Sequence, residues 1–265
     1  MNRFWIWLTR FASPPVFYRV AGLWLPWLGI SALLIGGASL YWGLFHAPED
    51  YYQGNSYRII YLHVPAAWMS LFAYMVMAVA GAAALIWRTK LSELTVLCCA
   101  PIGAGFTAVT LLSGMLWGRP TWGAYWVWDA RLTSELVLLF LYLGVIGLAS
   151  AYADLRRGAR AAAVLALVGV VNLPIIHFSV QWWNTLHQGE TVRLFGESSI
   201  DPSMAWPLLG SALAFKLYFG WSLLGRLRLA LIETESDKAW VAEALDISGE
   251  PEPRGKVTPE GSAHA

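Results

Sequence analysis

Six runs of about twenty apolar residues, each long enough to cross roughly 30 Å of hydrocarbon as a helix, constrain this chain more than any other feature. They cover residues 22–44, 64–87, 94–116, 133–152, 161–180 and 204–224. Only 13% of the 265 residues are charged, where a soluble domain carries about a quarter, and the charges fall between the runs. Mean hydropathy is +0.52. The fold class is all-α: a polytopic membrane protein of six transmembrane helices. The net charge of +1 carries no message about nucleic acid, because the basic residues mark span ends.

Those basic residues also set the orientation. Arg3, Arg10 and Arg19 precede the first run, and Arg88 and Lys90 follow the second. Arg156, Arg157 and Arg160 follow the fourth, and Arg226 and Arg228 follow the sixth. An even number of crossings puts all of them on one side, against only Arg58, Arg119, Arg131 and Arg193 in the loops opposite. The positive-inside rule then predicts that both termini are cytoplasmic.

Three parts follow. Residues 1–21 read as an amphipathic lead-in lying at the interface, without the cleavage pattern of a removed signal peptide. Residues 22–228 form the six-helix domain. Residues 229–265 are a cytoplasmic acidic tail, predicted to continue as a short helix to about Leu245 before becoming disordered. His264 lies in that tail and is discounted. The adjacent Cys98 and Cys99 sit in an apolar run, match no haem-attachment spacing, and read as small apolar fillers.

The outward loops hold the candidate chemistry. One is Trp117-Gly118-Arg119-Pro120-Thr121-Trp122-Gly123-Ala124-Tyr125-Trp126-Val127-Trp128-Asp129, placed in an outward loop over 117–132. A membrane-interface belt explains Trp24, Trp27, Trp42, Trp68, Trp87 and Trp206, but not four indoles in one stretch broken by Gly and Pro. Large flat side chains here suit a large flat ligand. His63 stands at the mouth of the second run, and His187 lies just beyond the fifth. Taken singly, each reads as an interfacial hydrogen-bonding residue; taken with the Trp loop, the ligand role is favoured. Two nitrogen ligands among planar apolar groups fit haem better than zinc, because haem supplies its own four equatorial nitrogens.

Around these residues the readings are plainer. Asp129 is placed to cap the fourth helix, with Glu135 in its first turns and Arg131 beside them. Anionic haem propionates call for one or two of the outward arginines, with Arg58 and Arg131 as candidates. His177 follows Pro174, which frees backbone carbonyls for His177 or Asn172 to satisfy, and reads as structural. His46 reads as interfacial, and Lys216 lies deep in the sixth run without an evident partner.

Trp122-Gly123-Ala124-Tyr125-Trp126-Val127-Trp128-Asp129 resembles the WWD motif, W-G-x-x-W-x-W-D, of haem-handling proteins in cytochrome c biogenesis. Ala130-Arg131-Leu132-Thr133-Ser134-Glu135 continues the match. Six spans with one outward histidine on each side of the loop resemble the CcmC family, through Tyr61-Leu62-His63-Val64-Pro65 and Trp182-Trp183-Asn184-Thr185-Leu186-His187-Gln188-Gly189. The larger CcmF relatives have more spans and further histidines. The resemblance covers residues 14–228.

It implies a multi-pass protein of the bacterial inner membrane that binds haem at the periplasmic face and delivers it to the haem chaperone CcmE. The partners implied are CcmD and the ABC-transporter subunits CcmA and CcmB. Haem b is held transiently with His63 and His187 as axial iron ligands, and Trp117, Trp122, Trp126, Trp128, Asp129, Arg58 and Arg131 complete the expected site. No G-x-x-x-x-G-K-[ST] loop occurs here, so the chain is expected to be no enzyme, with ATP hydrolysis in CcmA. Two rivals stand beside this reading. A b-type membrane cytochrome for electron transfer grips haem by histidines deep within its spans. A permease with an aromatic girdle shows no haem absorbance.

Overall fold

The computed structural model describes residues 13–189 and 200–245. The lead-in before Ser13, Arg193 and the tail beyond Leu245 lie outside the described residues. Among the described residues, six helical segments are long and apolar enough to cross a membrane. They are α1 (Pro14–Phe45), α2 (Ile60–Trp87), α3 (Lys90–Trp122), α4 (Ala130–Ser150), the pair α5 (Leu155–Gly169) and α6 (Asn172–Trp182), and α7 (Pro202–Thr234). The short α8 (Ala239–Ala244) follows.

The helices outrun the apolar windows, because backbone hydrogen bonding continues past the point where hydrophobicity stops. Pro14 and Pro15 open α1, where a missing N–H costs nothing. Thr89 caps α3 by accepting the Ser92 N–H, and Asp201 caps α7 by accepting the Ser203 N–H. The second helix begins at Ile60 behind a 3-10 turn, Asn55–Ile59, so His63 lies inside its first turn.

The largest departure is in the Trp stretch. The sequence predicts an outward loop over 117–132, but α3 continues as helix to Trp122. Pro120 falls in its last turn and removes only the bond to one carbonyl near a terminus. Gly123 ends the helix instead, at φ 78°, donating its N–H to Arg119. Only glycine takes that conformation cheaply. At 33 residues, α3 is about 50 Å long, more than roughly 30 Å of hydrocarbon requires, and it carries Trp117 and Trp122 in its last two turns.

The fifth span breaks where Pro174 withdraws an N–H. Leu173 N–H takes the Val170 carbonyl at 3.0 Å, and the Asn172 amide donates across to Ser134 O on α4 at 2.9 Å. Asn172 therefore ties two helices together, where the sequence suggested repair of its own backbone.

Small residues let the helices close up. Ala162, Ala163 and Ala166 of α5 are fully buried against Met77, Val96 and Tyr142. Cys98 and Cys99 are buried free thiols, and Cys99 Sγ donates to Ala73 O at 3.2 Å. Along α1, Gly22, Gly29 and Gly36 recur every seven residues, and side chains added there would strike Arg228, Trp221 and Ala214 of α7. The α7 partners recur every seven residues in the opposite direction, an antiparallel seam with coiled-coil spacing. Midway along α7, the Lys216 ammonium lies 5.2 Å from the Phe72 ring centroid, a cation–π contact.

Candidate haem site

The start of α2, the end of α3, the start of α4 and the end of α6 with the segment after it enclose a cavity of about 460 Å³, within the range of small-molecule sites. His63 and His187 both line it. Their ring centroids are 6.4 Å apart and their planes are tilted by 33°.

The hydrogen bonds are consistent with one tautomer for each ring. With the Ser113 hydroxyl donating to Val109 O at 2.6 Å, its oxygen is left to accept from His63 Nδ1 at 3.0 Å. The Gln188 carbonyl can only accept, and it lies 2.9 Å from His187 Nδ1. In this arrangement both Nδ1 atoms carry the proton, and each Nε2 keeps a bare lone pair. Engaging the far nitrogen in this way is how metal-binding histidines are oriented. Gly114 makes room for the His63 ring, since a Cβ there would come within 3.0 Å of it. Burial, followed by the charge of Arg131, lowers the His187 pKa to about 4, against weaker upward pulls from the Gln188 carbonyl and Asp129. His187 is thus neutral at physiological pH.

The tryptophans divide into two groups. Trp117, Trp122 and Trp126 line the cavity. Trp117 meets His63 edge-on at 5.5 Å and donates its Nε1–H to Gln53 at 2.7 Å. The Trp122 ring is 6.3 Å from His187. Trp126 has a buried Nε1 with no hydrogen-bond partner, which in a native site calls for explanation. Trp128 lies outside the cavity lining and is 77% exposed, with its ring edge against Trp126 at 5.3 Å.

The charged candidates also separate. Arg131 lines the cavity. Arg58 does not: its guanidinium donates to Asn55 at 2.7 Å and to Gly43 O at 2.8 Å, closing the segment between α1 and α2 onto α1. Asp129 caps α4 as expected, accepting the Leu132 N–H at 2.8 Å. Its second oxygen accepts the Thr185 hydroxyl, and Thr185 in turn accepts the His187 N–H at 3.0 Å. Asp129 acts on the site through His187 and is not itself part of the wall. His46 packs against Tyr41 and Trp42, and His177 against Phe178; neither lines the cavity.

Residues 7–242 match the family described as heme exporter protein C, CcmC. The chain belongs to that family. The Heme exporter protein C of Escherichia coli is 52% identical over 241 residues, 91% of this chain and 97% of the relative. That of Haemophilus influenzae is 46% identical over 237 residues, 89% and 96% of the two chains. That of Bradyrhizobium diazoefficiens is 50% identical over 212 residues, 80% of each. CcmC membership supports a role in haem export and cytochrome c maturation, in a multi-pass membrane protein, and makes haem the ligand against which the cavity is read.

Three contacts at or beside the cavity of this CcmC chain escaped the sequence reading, the last of them at Glu135, which was read only as an acid in the first turns of its helix. Gln53 joins the Trp117 indole to Gln188, donating its amide to Gln188 Oε1 at 3.1 Å. Ser113 orients His63 from fifty positions away. Glu135 lines the cavity floor, buried and 2.8 Å from Ser70 Oγ. A serine in an apolar helix gives no sign in sequence, because its usual partner is its own backbone.

Proposed function

We propose that the cavity holds haem with iron between His63 Nε2 and His187 Nε2, and presents it at the outer membrane face to a haem chaperone of the CcmE type. The separation of the two imidazoles carries this reading. Metal–nitrogen bonds of about 2 Å place two rings on one metal about 6 Å apart, centroid to centroid, and the observed separation is 6.4 Å. Two bare lone pairs across a cavity walled by three indoles suit a planar ligand that brings its own equatorial nitrogens.

Other features support the same assignment. Arg131 supplies positive charge for a propionate, and the Trp126 Nε1–H offers a donor awaiting an acceptor. The exposed Trp128 face is the surface offered to the chaperone. Arg88, Lys90, Arg156, Arg157, Arg160, Arg226 and Arg228 lie at the end bearing both described termini, which supports a cytoplasmic location for that end and a periplasmic one for the cavity. A cavity at this end lets cargo leave sideways, as delivery requires and fixed electron transfer does not. CcmD, CcmA and CcmB are the proposed membrane partners, with ATP hydrolysed by CcmA.

The test is optical. Purified protein should show a Soret band with bis-histidine character. His63→Ala or His187→Ala should each abolish that signature, with imidazole added to the solution restoring part of it. An unchanged spectrum in both variants defeats the axial assignment.

A further inference from the structure

At the opposite end of the bundle, a second cavity of about 390 Å³ opens between the start of α1, the end of α7 and α8. Arg19 and Arg228 line it, with Tyr18, Trp240 and Glu243. The Arg228 guanidinium is clamped: its Cζ lies 4.1 Å from the Tyr18 ring centroid, and a Cβ on Gly22 would come within 3.1 Å of the same atom. Its Nε is buried without a hydrogen-bond partner. Among the described residues neither Arg19 nor Arg228 forms an ion pair.

The remaining charges near the cavity are mostly committed. Glu235 accepts the Trp240 indole N–H at 2.6 Å on one oxygen and Lys90 Nζ at 3.0 Å on the other. This fixes Trp240 as a wall, 5.6 Å from Tyr18. Glu243 is the one carboxylate among the lining residues, facing two guanidinium groups. The cavity therefore holds excess positive charge, with one guanidinium already oriented and short of an acceptor. A planar fork of donors matches a phosphate. The location selects the source: Arg19 and Arg228 sit near the ends of two spans, flanked by tyrosine and tryptophan, at headgroup depth. Leu23 and Trp24, next along the apolar α1, are exposed.

We propose that this cavity binds the phosphate of an anionic phospholipid headgroup, in the manner of basic pockets between transmembrane helices. The occupant clips α1 and α8 to the end of α7, at the last contact of the glycine seam.

The experiment uses full-length protein in nanodiscs of phosphatidylcholine with or without phosphatidylglycerol. Retained lipid is read by native mass spectrometry and the thermal midpoint by calorimetry. Phosphatidylglycerol should be retained and should raise the midpoint. Removing an arginine should weaken retention about tenfold, as for one charge-assisted hydrogen bond. The Arg19→Gln/Arg228→Gln variant should lose both effects. Should it fail to fold, Arg19→Gln alone, outside the Tyr18–Gly22 clamp, carries the comparison. Glu243→Gln should move retention the other way. Equal retention in Arg19→Gln and the unaltered protein would overturn the site. Inorganic phosphate in phosphatidylcholine discs should leave the midpoint unchanged; a rise equal to that from phosphatidylglycerol would overturn the lipid assignment in favour of free phosphate.

Discussion

Asp129 caps α4 with one carboxylate oxygen and with the other holds Thr185, two residues before His187. The last residue of the Trp stretch thus positions the segment bearing the second proposed ligand. Asp129→Ala should remove the cap, worth about 1 kcal/mol, and also release Thr185. Thr185→Val should lose only the second effect. Both variants should retain less haem by Soret absorbance, and only Asp129→Ala should show a clear fall in thermal midpoint. Equal haem content in all three proteins would contradict the link.

The His63 tautomer rests on Ser113. Ser113→Ala should keep the bis-histidine signature while weakening haem affinity about 10- to 100-fold, the usual consequence of losing a partner that orients a metal-binding histidine. Haem titration of the stripped protein measures this directly. A variant that binds haem as tightly as the parent would show that the cavity orients His63 without Ser113.

Trp126 and Trp128 are two residues apart yet should behave differently. Trp126→Phe keeps a ring in the wall but removes the unpaired Nε1–H, and should lower haem retention. Trp128→Ala should leave the Soret band unchanged and slow transfer to the chaperone, followed by haem appearing on the acceptor in a mixing experiment. Equal loss of haem from both variants would place the two indoles in one wall.

His187 predicts a pH dependence of fixed sign. Its folded pKa is lowered to about 4, below the ordinary value of about 6.5. The unfolded chain therefore binds the proton more readily between these values. The contribution of neutral His187 to stability is complete above about pH 6.5 and is lost as pH falls toward 4. The thermal midpoint of haem-free protein should drop across that window, and the drop should be smaller in His187→Gln. A midpoint rising on acidification would contradict the sign.

Several of these relationships were legible before any coordinates. His63 and His187 stand out because an imidazole at the end of an apolar run has few ordinary reasons to be there, and Asp129 because it directly precedes a helix. Pro120 misled, since the residue that ends α3 is Gly123, and a proline in a last turn costs little. Arg58 was indistinguishable from Arg131 by sequence; one folds back onto Gly43, while the other lines the cavity. The α1–α7 seam was present as Gly22, Gly29 and Gly36, but a spacing of seven means little until a facing helix shows the same spacing.

Six spans and two histidines isolated at span ends follow from chain composition and order, because hydrocarbon demands apolar length and penalises stray polar groups wherever the helix packs. Which Nε2 is left bare, which indoles turn inward and which arginine reaches the cavity depend on contacts between residues tens of positions apart. Directional bonds such as Ser113 to His63 and Thr185 to Asp129 decide these. Such bonds exist only once the helices have packed, so no local pattern in the chain could announce them.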